Sequence, residues 1–182
     1  MKKIALLLLA SSVLGGCSLL LPSTMKESQE AAVSQVVDAA VTVKDKDGMD
    51  VHLADYKGKK LYINVWASWC GPCMREIPEL EEVYQLYKDK EDYVFLSLTS
   101  PNDALFGNSQ PQDRSAEEIL AVAKERGITY PVLFDSKDQA ATHFALRAFP
   151  THIFVNSDGT ISKQFSGQIQ KEQLIGQLED LR

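Results

Sequence analysis

Two of the three cysteines in this chain, Cys70 and Cys73, stand two residues apart in the stretch W-A-S-W-C-G-P-C-M-R-E-I-P, residues 66–78. A strand-like apolar run leads into Cys70, and a helical pattern follows it. The helix dipole and the free N–H groups of a first turn stabilise a thiolate, so the Cys70 pKa is expected well below the free-thiol value of about 8.5. Cys73 lies nearly one turn further on and faces inward. The spacing predicts an exposed, acidic nucleophile and a shielded resolving thiol, as thiol–disulfide exchange requires.

The residues between the two cysteines fit this interpretation. Pro72 suits the first turn of a helix, where a missing N–H costs nothing, and Gly71 keeps the approach to the sulfur open.

Two other interpretations of the cysteine pair carry less weight. A metal site needs about four ligands, but there is no second Cys-x-x-Cys motif or histidine pair. The three histidines are scattered, and each is interpreted as structural; they are His52, His143 and His152. A purely structural disulfide would close a very small loop and contribute little stability. We therefore expect no metal and no cofactor.

The hydrophobic pattern of the remaining chain predicts an α/β domain with a mixed sheet. Predicted strands cover residues 40–53 (a hairpin that turns at Asp47-Gly48), 60–66, 93–98, 131–134 and 151–165 (a hairpin that turns at 156–159). The first predicted helix starts after Cys70 and is kinked by Pro78. The second covers 116–126 and begins with a Ser115–Glu118 capping box. The third covers 138–144, and the last is marked by Leu174, Ile175, Leu178 and Leu181.

Residues 100–114 form a polar stretch that is long for a loop inside a compact domain. Such loops are either functional or disordered. Its length and composition make it a candidate for recognition of a client protein.

The N-terminus has the pattern of a secretory leader. Lys2 and Lys3 precede an apolar run at residues 4–13, which is too short to span a bilayer comfortably and is typical of a signal peptide. The sequence L-G-G-C that ends at Cys17 resembles a bacterial lipobox, in which the cysteine is lipid-modified; the alternative is ordinary secretion with an incidental Cys17. We expect a signal peptide at 1–16, a lipidated cysteine and tether at 17–37, and one domain at 38–182.

The predicted leader and lipidated cysteine indicate the compartment of the domain, and the net charge limits its partners. With Cys17 lipidated, Cys70 and Cys73 are the only remaining thiols, and they lie outside the cytoplasmic membrane, where thiols are not kept reduced by default. The net charge of −6 and the absence of a Lys/Arg stripe argue against a nucleic-acid partner.

The motif V-W-A-S-W-C-G-P-C resembles the active site of the thioredoxin superfamily, and the resemblance extends over residues 38–181. The leader, the first hairpin and the run C-x-x-C-x-x-E-x-P place the chain nearest the extracytoplasmic TlpA/ResA-like branch. The resemblance implies a thioredoxin-like fold: a central mixed sheet flanked by helices, with an N-terminal β-hairpin extension.

The same resemblance implies roles for individual residues. Cys70 corresponds to the nucleophile, Cys73 to the resolving thiol, and Trp69 to an aromatic shelf before the pair, although Trp69 could also be a plain core tryptophan. Phe149-Pro150-Thr151 corresponds to the cis-proline turn that faces the disulfide and presents the Phe149 backbone to an incoming chain; the alternative is a proline at a strand entry. Trp69, Gly71, Pro72, Phe149 and Thr151 are the expected client contacts, and no metal ligand is among the site residues.

Glu76 is the acid that the TlpA/ResA-like branch carries in place of the buried Asp of cytoplasmic thioredoxins, whose position Asn64 occupies here. One helical turn puts Glu76 on the same face as Cys73. A partly buried carboxylate there would have a raised pKa and could accept the Cys73 proton. The alternative is an acid favoured in a first helical turn by the dipole alone.

The expected function is that of a membrane-anchored, extracytoplasmic thiol–disulfide reductase. Streptococcal surface thioredoxin lipoproteins, which the chain resembles, receive electrons from a CcdA-type membrane protein and pass them to a surface methionine sulfoxide reductase. These are the expected donor and client, and a monomer is expected. The alternatives are an extracytoplasmic disulfide oxidase or isomerase, a cytochrome c maturation reductase, and a non-catalytic surface binding lipoprotein.

Overall fold

A computed structural model of the chain describes residues 36–37 and 41–182. The predicted signal peptide, Cys17 and most of the predicted tether lie outside the described residues. Val36 and Val37, which the sequence-based layout assigns to the tether, contact the domain. Val36 forms an isolated bridge with Thr160, and the Val37 N–H donates to the Gly159 carbonyl at 2.9 Å.

The centre of the domain is a seven-stranded mixed sheet with the strand order β2-β1-β5-β4-β3-β6-β7. Its strands are β1 (Thr42–Lys44), β2 (Asp50–His52), β3 (Lys60–Val65), β4 (Tyr93–Thr99), β5 (Val132–Asp135), β6 (Thr151–Val155) and β7 (Ile161–Ser166). The neighbours β3, β4 and β5 run parallel, and the other pairs are antiparallel. The predicted mixed sheet and thioredoxin-like α/β fold are confirmed.

Within residues 41–182, four α-helices accompany the sheet: α1 (Gly71–Tyr87), α2 (Ala116–Glu125), α3 (Gln139–His143) and α4 (Lys171–Glu179). The predicted capping box at Ser115 and Glu118 starts α2. Pro78 lies inside α1, and the helix continues past it to Tyr87. Because the strands and helices begin and end within one or two residues of the predicted positions, the hydrophobic periodicity of the sequence locates the elements well.

Both faces of the sheet are covered. Alternate residues of β3 point to opposite faces: Leu61, Ile63 and Val65 join the apolar cluster that contains residues of α3 and the N-terminal hairpin, while Tyr62 joins a cluster with α1. Trp66, just after β3, belongs to a third cluster that also contains residues of α1. This double burial explains why β3 is almost continuously apolar. It also places side chains from β3 and β6 directly beneath α1.

The N-terminal hairpin of β1 and β2 forms as predicted, and it is joined to the sheet. Val43 lies opposite Asp135, and Lys44 opposite Phe134, so β1 pairs with β5 in the antiparallel sense. The extension therefore lengthens the sheet on the β5 side. Among the described residues, no helix combines the length and apolar character needed to cross a membrane.

Candidate active site

Cys70 and Cys73 form a disulfide at the point where the chain leaves β3 and enters α1. Cys70 is the N-cap residue, and its Sγ accepts a hydrogen bond from the Cys73 N–H at 3.2 Å. Pro72 occupies the first turn, where its missing N–H leaves no partner unsatisfied. The predicted placement of the pair at a helix N-terminus is confirmed.

The expectation that Cys70 is the exposed partner is wrong for this disulfide form. Cys70 is only 3% exposed and Cys73 is fully buried. The reason is that Cys70 belongs to the apolar cluster of Trp66, Phe106 and Phe134, residues that come from three separate segments. The exposed surface at this end of α1 belongs to the neighbours of Cys70, among them Gly71 and Pro72.

Trp69 is part of that exposed surface, with 57% of its area accessible, so it is not a core tryptophan. Its ring packs edge-on against Phe149, with 5.9 Å between ring centroids, and its Nε1–H donates to the Gln112 carbonyl at 2.7 Å. The buried tryptophan of the motif is Trp66, whose Nε1–H donates to Ser97 Oγ. Trp69 is therefore an exposed aromatic surface beside the cysteine pair.

The turn before β6 contains the predicted cis peptide bond, between Phe149 and Pro150. The Pro150 carbonyl accepts from the Gly167 N–H at 2.9 Å, and Thr151 Oγ1 donates to the Ala148 carbonyl at 2.7 Å. Among the described residues, neither the N–H nor the carbonyl of Phe149 has a hydrogen-bond partner. This backbone is thus free to pair with an extended chain in the manner of an added strand.

Glu76 lies on the buried face of α1 with Cys73, one turn further along the helix. It is 2% exposed. Its Oε2 accepts from the Ile169 N–H at 3.2 Å and lies 3.4 Å from His152 Nε2, while Oε1 has no partner among the described residues. A buried carboxylate beneath a thiol can act as a general base.

His152 is a site residue that the sequence interpretation missed, because the three histidines are far apart in the chain. In β6, His152 and Phe154 lie on the face that packs under α1, whereas Ile153 and Val155 lie on the opposite face. A polar residue on a strand face that a helix covers is the signal that could have identified it. Asn64 pairs with His152 in the β3–β6 register and is fully buried as well.

The stretch 100–114 makes specific contacts with the core and is not a disordered loop. Phe106 is buried and packs on Phe134 with 5.2 Å between ring centroids. Asn108 Nδ2 donates to the carbonyls of Pro101 and Asp135, both at 3.0 Å. These contacts fix the loop beside the end of β5.

Asp113 ties this loop to the residues that precede Cys70. Its carboxylate accepts from the Ser68 N–H at 2.7 Å, from the Ser68 hydroxyl and from the Arg114 N–H at 2.8 Å. Since Gln112 also binds Trp69, the loop holds both residues of the Ser68-Trp69 pair. The loop thus positions the approach to the nucleophile.

Replacing Asp113 by alanine is expected to lower the free energy of unfolding by about 1–3 kcal/mol, because the half-buried Ser68 N–H and hydroxyl lose their acceptor. We also expect the reaction of reduced Cys70 with Ellman's reagent to slow by about tenfold, since Ser68 and Trp69 are no longer held. Urea titration and stopped-flow absorbance measure the two effects. Asp103→Ala is the matched control: Asp103 anchors the same loop to the Ala116 N–H at 2.7 Å. Equal slowing in both variants would contradict a specific role for Asp113.

A cavity of about 530 Å³ lies between this loop and the turn before β6. Ser109, Gln110 and Gln112 line it from the loop, and Arg147 and Phe149 line it from the turn. Phe149 thus faces both the cavity and Trp69. Elsewhere in the part of the chain that the structure describes, no cluster of three or more His, Cys, Asp or Glu side chains is arranged to hold a metal ion.

Comparison with known proteins agrees with this geometry. The Redoxin family model matches residues 27–180. The chain is 27% identical over 140 residues to the thiol-disulfide oxidoreductase ResA of Geobacillus thermodenitrificans (strain NG80-2), covering 77% of this chain and 73% of the relative. It is 29% identical over 138 residues to the thioredoxin-like protein YneN of Bacillus subtilis (strain 168), covering 76% and 74%.

A solved structure of a similar protein has the same fold as this chain. The exposed lipoprotein thioredoxin Etrx1 of Streptococcus pneumoniae strain TIGR4 superposes with a TM-score of 0.65 at 28% identity, over 78% of this chain and 98% of that one. The family match, the cysteine pair at the start of α1 and the cis-proline turn agree with one another. The chain belongs to the Redoxin family, in its ResA/thioredoxin-like branch, and is a thiol–disulfide oxidoreductase.

Proposed function

We propose that this protein is a lipid-anchored reductase on the outer face of the cytoplasmic membrane, which carries electrons from a membrane donor to disulfide-bearing client proteins. The observation that carries the proposal is the Cys70–Cys73 pair at the N-terminus of α1, with the unpaired Phe149 backbone and the buried Glu76 nearby. A nucleophile, a resolving thiol, a peptide-pairing edge and a proton acceptor are the parts that disulfide reduction needs.

The reaction proceeds in two exchanges. In the reduced protein, the Cys70 thiolate attacks one sulfur of the client disulfide, which forms a mixed disulfide and releases one client thiolate. Cys73 then gives its proton to Glu76 and attacks the Cys70 sulfur, which releases the second client thiolate. Two electrons pass to the client, and the Cys70–Cys73 disulfide remains.

The residues around the pair receive supporting roles in this scheme. The Cys73 N–H that now binds Cys70 Sγ is one of the first-turn donors that stabilise the attacking thiolate. Trp69 and the Gly71-Pro72 dipeptide form the exposed rim over which a client lies. The turn of Phe149, Pro150 and Thr151 offers the client a strand-like edge, and the cavity beside Phe149 accepts a client side chain.

The location and the partners follow from the leader and from the relatives. The L-G-G-C sequence at Cys17 supports a lipid anchor, and the similar Etrx1 is an exposed lipoprotein. By resemblance to the streptococcal surface thioredoxins, we propose a CcdA-type membrane protein as the electron donor and a surface methionine sulfoxide reductase as the client. In that assignment the protein works as a monomer between the two.

The redox potential of the full-length protein tests the direction of electron flow. We expect a value near that of thioredoxin, about −270 mV, when the protein is equilibrated with glutathione buffers and its thiols are counted by mass spectrometry. The reduced protein should then restore turnover of an oxidised methionine sulfoxide reductase. A potential above about −180 mV would instead indicate an oxidase or isomerase of exported proteins. An absence of any exchange would indicate a non-catalytic lipoprotein.

A further inference from the structure

A buried line of three polar side chains crosses from the sheet to α1. Tyr62 lies on β3, His152 on β6 and Glu76 on α1. The Tyr62 hydroxyl lies 2.8 Å from His152 Nδ1, and His152 Nε2 lies 3.4 Å from Glu76 Oε2. Tyr62 and His152 are fully buried, so neither group exchanges its partners with bulk water.

The partners of His152 assign its hydrogen atoms. The Gly167 carbonyl lies 3.0 Å from Nε2 and can only accept, so Nε2 carries a hydrogen. In the neutral ring Nδ1 is then the acceptor, and the Tyr62 hydroxyl donates to it. Burial first, and then the nearby Tyr130 and Glu76, raise the pKa of Tyr62 well above its ordinary value, which keeps that donor protonated.

The two oxygens of Glu76 have different surroundings. Oε2 accepts from the Ile169 N–H at 3.2 Å and lies 3.4 Å from His152 Nε2, whose hydrogen is donated to the Gly167 carbonyl. Oε1 is buried and makes no hydrogen bond to any described residue. Donors to one oxygen stabilise the ionised carboxylate and fix its rotamer, while the other oxygen stays available for a proton.

We propose that His152 is the positioning residue for Glu76: its Nε2–H edge, held in place by the Tyr62 and Gly167 hydrogen bonds, lies against Oε2 and leaves Oε1 to accept the proton of Cys73. The inference rests on the general-base role of Glu76 in the proposed function. His152 does not contact the sulfurs or the client. It acts on the second exchange alone, through the charge and the orientation of the carboxylate.

Among the described titratable groups around Glu76, His152 is the one on the sheet that presents an N–H edge to the carboxylate. Tyr62 and Tyr130 are the remaining titratable side chains that act on this region from beneath, and both stay protonated because burial raises the pKa of each. From α1, Arg75 and Glu79 line a cavity of about 510 Å³ that also includes Glu76. The residues facing this cavity from the start of α4 and the segment before it are Gln168, Ile169, Gln170 and Gln173, none of which titrates.

The experiment separates the two exchanges. Reduced full-length protein reacts with Ellman's reagent in two phases, because Cys70 releases the first chromophore and Cys73 releases the second as it resolves the mixed disulfide. We expect His152→Leu to slow the second phase about tenfold at neutral pH, since the carboxylate loses the neighbour that holds its orientation. The first phase stays unchanged.

Three further variants complete the design. His152→Gln keeps an N–H donor of similar reach, and it should retain most of the second-phase rate. In a Glu76→Gln background, His152→Leu should have no further effect on that rate. If His152→Leu does not fold, Tyr62→Phe is the substitute: it removes the hydrogen bond that orients the His152 ring at Nδ1, and it should slow the second phase about threefold. His143→Leu, on the other side of the sheet in α3, is the histidine control.

The outcomes are distinguishable. Slowing of both phases to the same extent, or no recovery of the second phase in His152→Gln, would leave His152 with a structural role only and overturn the inference. A normal second phase in His152→Leu together with a slow one in Glu76→Gln would also overturn it, although the proposed function would stand. A normal second phase in Glu76→Gln would overturn the inference and the proposed base together.

Discussion

Replacing Cys70 by serine should reduce disulfide exchange by more than about 10³-fold, because Cys73 alone is fully buried and cannot replace the nucleophile. Replacing Cys73 by serine should have a different consequence. The first exchange still proceeds, but the mixed disulfide on Cys70 is no longer resolved and accumulates. The measurement is mass spectrometry of species that remain covalently bound to the Cys73→Ser protein after cells are quenched in acid.

The double variant Cys70→Ser/Cys73→Ser is the control for this trap, and it should capture nothing. Cys17→Ala combined with Cys73→Ser should trap the same species, since Cys17 is assigned to lipid attachment. Capture of a methionine sulfoxide reductase would support the proposed client, whereas capture of unrelated exported proteins would favour an oxidase or isomerase. If Cys73→Ser exchanges disulfides as fast as the unmodified protein, the assigned order of attack is wrong.

Replacing Glu76 by glutamine should slow the second exchange about 10²-fold, which is the ordinary contribution of a positioned general base. An amide cannot accept the Cys73 proton, so the loss should fall on the second phase alone. Stopped-flow reaction with Ellman's reagent resolves the two phases and measures the loss.

Glu82→Gln is a suitable control for this prediction, because Glu82 lies on the same helix and binds Lys171 on the surface at 2.6 Å. Its removal should leave both phases unchanged. Should Glu76→Gln keep the second-phase rate, Glu76 is only a first-turn acid favoured by the helix dipole. The proton of Cys73 would then leave by another route.

Much of this site could be predicted from the sequence, because its local parts are determined by neighbours in the chain. An apolar run followed by a helical pattern places Cys70 at a helix N-terminus, and three-residue spacing puts Glu76 on the face of Cys73. The Ser115–Glu118 capping box and the two hairpins are likewise formed by residues that are close together in the chain. The cis Phe149–Pro150 bond came from resemblance to a known motif, which carries tertiary information from other proteins.

Other features depend on segments that meet only in the folded chain. Cys70 is buried because Phe106, from a loop, and Phe134, from β5, pack in the same apolar cluster. Asp113 binds Ser68 although the two residues are 45 positions apart in the sequence. His152 reaches Glu76 because β6 lies beside β3 under α1. Periodicity shows which face of an element is buried, but it does not show which residue buries it, since that depends on strand order and register. The sequence by itself therefore determined the reacting thiols and their helix, whereas the tertiary structure decided what covers them and what holds their base.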